Sequence, residues 1–216
     1  MEVSISQIVQ ALWETLYMVS VSLVFASLIG LPIGILLVVT RKGHILENNA
    51  VFSILNPVIN VFRSIPFIIL LVAIIPFTRF IVGTSIGTTA TIVPLVIYCG
   101  PYIARLVENS LLEVNTGIIE AAEAMGATPS QVIFRFLIPE AFGSLILSLT
   151  TATIGLIGAT AMAGAVGGGG IGDLAITYGY QRFSTITIVA TVIILVVLVQ
   201  GIQSLGNVSA RKIRRK

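Results

Sequence analysis

Charged side chains are missing from four long stretches of the chain, residues 15–40, 80–104, 141–172 and 183–210. Each exceeds the roughly 20 apolar residues a helix needs to cross a bilayer, so each is read as a transmembrane helix. A shorter apolar body, 64–78, follows Arg63, whose long side chain can reach the interface, and this predicts a fifth span. The preceding NNAVFSILNP is too short and too rich in asparagine to span, and is expected to form an interfacial elbow. At the start, Ile5, Ile8, Val9, Leu12 and Leu16 recur at helical spacing between Glu2, Ser6, Gln7 and Gln10. Residues 1–13 are therefore expected to lie along the outer interface as an amphipathic segment, with Trp13 and Tyr17 at headgroup level.

Five spans put the termini on opposite sides, and basic residues choose which. With the N-terminus outside, Arg41, Lys42, Arg63, Arg105, Arg135 and the tail residues Arg211, Lys212, Arg214, Arg215 and Lys216 fall inside, against Arg79 and Arg182 outside. The tail, 211–216, is read as an anchor on anionic lipid rather than a nucleic-acid contact. The N-terminal stretch lacks a positively charged start and a small-residue cleavage site, and is not expected to be a removable signal.

Composition agrees with the spans and changes one point. The chain is 56% hydrophobic and only 10% charged, against about 25% charged for an average soluble domain, which excludes a soluble globular fold. The one cysteine, Cys99, lies in an apolar run and is read as a small packing residue. No lysine, histidine or carboxylate falls within the body of a predicted span, whereas ion-coupled carriers usually place such groups at mid-membrane. Energy for any transport must then enter elsewhere.

The sizeable polar segment, 105–140, carries five glutamates and two arginines, a net of −3 on the side where positive charge is the norm. Thr116 is expected to cap a short helix through GIIEAAEAM, and Gly126 to end it in the left-handed conformation. TPSQ then offers Thr128 as the next cap, Pro129 at the first helical position and Gln131 completing a capping box. Pro139 is expected to end or bend this second arm before the next span. Glutamates could simply solvate a loop. A sharply fixed turn with a small-residue surface, Ala121, Ala122 and Ala124, fits better into a partner's groove.

EAA at 120–122, three residues, Gly126, then nine residues to the FLIP run closely resembles the coupling loop of the permease subunits of bacterial ATP-binding-cassette importers. Phe136 and Ile138 depart from the family's usual residues but keep the apolar character. The resemblance implies an all-α permease domain over 14–210, two copies of which make the passage. It also implies that Glu120, Ala121, Ala122, Glu123, Gly126, Ala127, Thr128 and Pro129 couple the chain to two ATPase subunits. ATP and Mg²⁺ then belong to those partners, this chain binds no cofactor or metal and catalyses nothing, and a substrate-binding lipoprotein docks outside. NVFRSIPFIILL, PFTRFIVGTSIG, VENSLLEV and GAVGGGGIG are similar to the permeases of methionine importers, and methionine as solute rests on that similarity alone.

Other signals are weaker. GGGGIG, 167–172, matches a dinucleotide-binding pattern but follows a membrane helix and has no P-loop lysine, so nucleotide binding is rejected. Met162, surrounded by small residues, is either a gate on the two-fold axis, with Gly164 and Gly167 beside the path, or a filler of a packing gap. His44 is read as solvated, Arg63 as pairing with lipid phosphate or the loop glutamates, and Asp173 and Arg182 as possible contacts for the outer partner. Two readings from other classes stay open: a channel or ion-coupled carrier working without ATPase partners, and a scaffold whose loop recruits a partner without moving solute.

Overall fold

A computed structural model describes residues 3–214. All regular structure among them is helical: α1 (Ile5–Val39), α2 (Asn49–Ser64), α3 (Phe67–Ala73), α4 (Ile75–Val82), α5 (Thr88–Leu112), α6 (Thr116–Ala124), α7 (Pro129–Gln131), α8 (Ile138–Ala163), α9 (Gly170–Leu174) and α10 (Thr185–Arg214). Four long apolar helices, α1, α5, the continuous run Pro129–Val166 and α10, have the length and composition to cross a membrane. Glu2 and the last two basic residues, Arg215 and Lys216, lie outside the described residues.

α1 starts on a capping box, with Ser4 accepting from the Gln7 N–H and Gln7 accepting from the Ser4 N–H. Its 35 residues span about 52 Å at 1.5 Å per residue, well beyond a hydrocarbon core of about 30 Å. The expected interfacial segment is thus not a separate element: from Ile5 it shares one helix with the first span, because no glycine or proline interrupts residues 5–29. α5 is the most extensive partner of α1. Gly30 and Gly34 make that approach possible: a Cβ on Gly30 would stand 2.7 Å from the Gly100 carbonyl oxygen, and one on Gly34 2.6 Å from that of Ala104. Met18, Leu95, Ile103, Val107 and Leu156 form the centre of the core between α1, α5 and α8.

Three expectations about element boundaries change. The fifth span is not one helix: α2 and α3 meet at a 98° bend, and α3 and α4 are separate short pieces. Pro66 and Pro76, each lacking an N–H, sit at the start of the pieces they open. The third span begins later and ends later than 80–104, running to Leu112, so Glu108 lies inside a long apolar helix, 2% exposed. Its burial among Arg105 and Arg41 explains why a carboxylate is tolerated there.

Pro139 neither ends nor separates the second arm. The backbone widens to a π-helical turn at Val132–Leu137, where the Ile138 N–H reaches the carbonyl of Ile133, and α8 continues unbroken beyond it. A wider turn accommodates the missing proline donor without breaking the helix.

Candidate coupling elbow and candidate path

The polar segment folds as a helix, a glycine turn and a capped second helix. The cap of α6 is Asn115, not Thr116: its Oδ1 accepts from the Gly117 N–H at 2.8 Å, and Thr116 is the first helical residue. Asn115 has the extended backbone of a cap while Thr116 is already helical, and asparagine is as good a cap as threonine. At the other end, Gly126 has φ +80°. The Gly126 N–H donates to the Glu123 carbonyl at 2.9 Å and the Ala127 N–H to that of Ala122 at 3.1 Å, the two bonds of a Schellman stop. Thr128 caps α7 as expected: the Thr128 N–H donates to Gln131 Oε1 at 2.9 Å and the Gln131 N–H to Thr128 Oγ1 at 3.4 Å.

This elbow presents Glu120, Ala121, Glu123, Ala124, Gly126, Thr128 and Pro129 to the outside, while Ala122 is buried and Ala127 half-buried. Ala122 is therefore an anchor to the body, on the helix that packs against the Val132–Leu137 turn. Met125, which the sequence did not single out, stands 73% exposed at the tip. A large apolar residue directly before the helix-stopping glycine was the available signal. The flanks of the elbow are tied together: Ser144 Oγ donates to the Glu113 carboxylate at 2.7 Å, and the Ser110 and Ser148 hydroxyls are 2.7 Å apart.

A cleft of about 320 Å³ separates α6 from the turn after α1, lined among others by His44, Ile45, Leu111, Thr116, Glu120 and Glu123. His44 is thus half-buried in a cleft wall rather than freely solvated. Burial, and then the Arg41 guanidinium, hold its imidazole below the ordinary histidine value. Arg41 and Arg105 pair with Glu108, and these are the ion pairs among the described residues, so Arg63 does not pair with the elbow glutamates.

At the opposite end of the bundle the glycine run makes a tight turn between α8 and α9. Gly169 and Gly170 have φ +79° and +78°, and residues of α1 hold them: Glu14 Oε2 accepts from the Gly170 N–H at 2.9 Å and Thr15 Oγ1 from the Ile171 N–H at 2.9 Å. Gly164 is buried, and a Cβ there would run into the backbone of Gly172 and Asp173, so its smallness serves close packing. The Gly167 carbonyl accepts from the Gly87 N–H at 2.9 Å. Met162 is 54% exposed, on a face of α8 with Thr151 and Gly158, and a Cβ on Gly158 would meet nothing within 4 Å. Asp173 accepts from Thr177, and Arg182 lies 4.4 Å over the Tyr178 ring, both near this end. Among the described residues no three His, Cys, Asp or Glu side chains stand close enough to hold a metal.

A family model described as the inner membrane component of binding-protein-dependent transport systems matches residues 30–215. The chain is 49% identical to a probable D-methionine transport system permease protein, MetI, of Vibrio cholerae over 203 residues, 94% of this chain and 90% of that protein. It is 54% identical over 157 residues to the D-methionine transport system permease protein MetI of Escherichia coli K12, covering 73% and 72% of the two chains. A solved inward-facing MetNI methionine ABC transporter contains a chain matching it with a TM-score of 0.95 at 49% identity, over 97% of each. A chain of an amino acid ABC transporter, 19% identical with a TM-score of 0.79, shares the fold. Residues 30–215, which carry the elbow, the glycine turn and every helix after α1, thus place the chain in the binding-protein-dependent transport inner membrane component family, as a non-catalytic, membrane-embedded permease.

Proposed function

We propose that this chain is the permease subunit of an ATP-driven methionine importer, working as a pair of identical copies with two ATPase subunits and a substrate-binding lipoprotein. The observation that carries the reading is the elbow: a Schellman stop at Gly126 abutting a capping box at Thr128 fixes the exposed Glu120, Ala121 and Glu123 in one rigid shape. Such a knob fits a groove in a partner, and its rigidity allows a push to be transmitted rather than absorbed. ATP and Mg²⁺ bind in the ATPase subunits, and their cycle moves the elbow, which lies on the cytoplasmic side with the basic tail. The spans then alternate the side to which a path between the two copies opens, with Met162 as a gate.

The solute is methionine, L or D, on the strength of the relatives' names alone; another small amino acid would leave the same elbow. The test is uptake of radiolabelled L- and D-methionine in proteoliposomes holding the permease, its ATPase subunits and its binding protein. Uptake that requires internal ATP and is chased by unlabelled methionine supports the reading. Uptake without ATP would favour a channel or ion-coupled carrier, and ATP-driven uptake of a different amino acid would replace only the solute.

A further inference from the structure

Glu108 is a buried carboxylate on which the elbow makes no direct call. It receives the Arg105 guanidinium one turn earlier on α5 and lies 3.8 Å from the Arg41 guanidinium at the end of α1. Arg105 also reaches out of α5: its Nη2 donates to Asn56 Oδ1 at 2.7 Å and to Asn60 Oδ1 at 2.8 Å, one helical turn apart on the same face of α2. Arg41 lies 6.0 Å over the Phe52 ring, again on α2.

Otherwise α2 is loosely held. Its one buried residue is Ile59, which sits with Leu37 and Ala104 in a small apolar cluster. Apolar contact is non-directional and lets a helix slide or rotate, whereas two bonds from one guanidinium nitrogen to acceptors on successive turns of α2 fix its register. A buried ion pair contributes little net stability against an apolar replacement of the same shape, so its use here is geometric. Thr116, the start of the elbow helix, comes eight positions after Glu108. Beyond α2, the 98° bend leads into α3, where Phe67 packs edge-to-face on Tyr98 of α5 with ring centroids 5.2 Å apart.

We infer that Arg105, set by Glu108, is a joint that makes α2 move with α5, so that displacement of the elbow carries the α2–α3 bend with it. This rests on the reading of the chain as an ATP-coupled permease. Arg105, Glu108, Asn56 and Asn60 are positioning residues: they touch no solute and act through the helices they join.

The test uses the reconstituted complex with its ATPase subunits and binding protein. Asn56→Ala with Asn60→Ala removes both acceptors on α2 while leaving Arg105 and Glu108 paired. Assembly and basal ATP hydrolysis stay within twofold of wild type, and solute taken up per ATP falls at least fivefold. Asn56→Asp with Asn60→Asp, which keeps the acceptors, restores most of that ratio. A purely structural role would lower the yield of complex and leave the ratio unchanged, and an unchanged ratio overturns the joint. An independent measurement covers poor assembly of the alanine pair: spin labels at Ser53→Cys on α2 and Asn109→Cys on α5, in a Cys99→Ala background. The wild-type distance stays constant between nucleotide-free and ATP-trapped complexes, and the alanine pair broadens it. A wild-type distance that changes between the two states rejects the joint, whereas wild-type complex without ATP-driven uptake rejects the transporter reading instead.

Discussion

At Gly126 the backbone sets the requirement, not the surroundings. A Cβ there would meet nothing within 4 Å, yet φ is +80°, so a β-branched side chain suffers conformational strain alone, about 1–2 kcal/mol. Gly126→Val is expected to leave membrane insertion and protein level near wild type while lowering ATP-driven uptake severalfold. Gly126→Asn, which tolerates the left-handed region, should lose much less. Equal loss in both variants would show that the turn's conformation is not what matters. His44 behaves differently because its environment acts on its charge. Burial and Arg41 lower its pKa in the fold, so the stabilisation from a neutral imidazole is intact above the ordinary value of about 6.5 and is lost as pH falls below it towards the lowered folded value. Thermal unfolding of the complex should therefore shift down between pH 7.5 and 5.5, and His44→Gln should shrink that shift.

Among elements, the pairing of α1 with α5 sets how the rest is placed. Gly34→Leu must force a branched side chain into the space of Val107 and the Ala104 carbonyl; overpacking of this kind costs typically 1–3 kcal/mol. Detergent-solubilised Gly34→Leu should lose most of its monodisperse peak in size-exclusion chromatography, whereas Gly201→Leu on α10, with nothing within 4 Å of its Cβ, should keep it. The spacing Gly30-x-x-x-Gly34 is itself a close-packing signal, one that the stretch's lack of charge does not reveal. The four long spans, the glycine stop and the Thr128 capping box were legible because each depends on local chemistry: apolar length, a missing Cβ, a hydroxyl three residues before a glutamine. The continuity past Pro139, the extension of α5 to Leu112 and the burial of Glu108 were not, because each depends on a neighbouring element. The π-helical turn is a property of the whole arm, and Glu108 is tolerable only where Arg41 and Arg105 meet it. The exposed surface of the elbow was readable; Met125 at its tip and the buried place of Ala122 needed the packing.

For the whole molecule, the question is what covers the face of α8 that carries Thr151, Gly158 and Met162. On α10, exposed residues such as Val192, Val196 and Val197 are apolar and branched, as expected of a helix side set against acyl chains. The α8 face is different: small residues with one flexible thioether, the composition that lets two helices approach closely. A two-fold pair built on α8 would bring the two Met162 side chains towards each other across the axis, where a thioether repacks easily as the path opens and closes. Met162→Cys in a Cys99→Ala background tests this directly, since a disulfide forms only when the two Cα atoms come within about 7 Å. Mild oxidation in membranes is expected to give a dimer on non-reducing gels. The yield should differ between nucleotide-free complexes and those trapped with ATP, because a gate must separate in one of the two states. Val197→Cys, 66% exposed on α10, should stay monomeric under the same oxidation. A strong dimer from Val197→Cys and none from Met162→Cys would put the axis on α10 and move the path away from α8. A Met162→Cys dimer whose yield ignores nucleotide would keep the pairing and remove the gate.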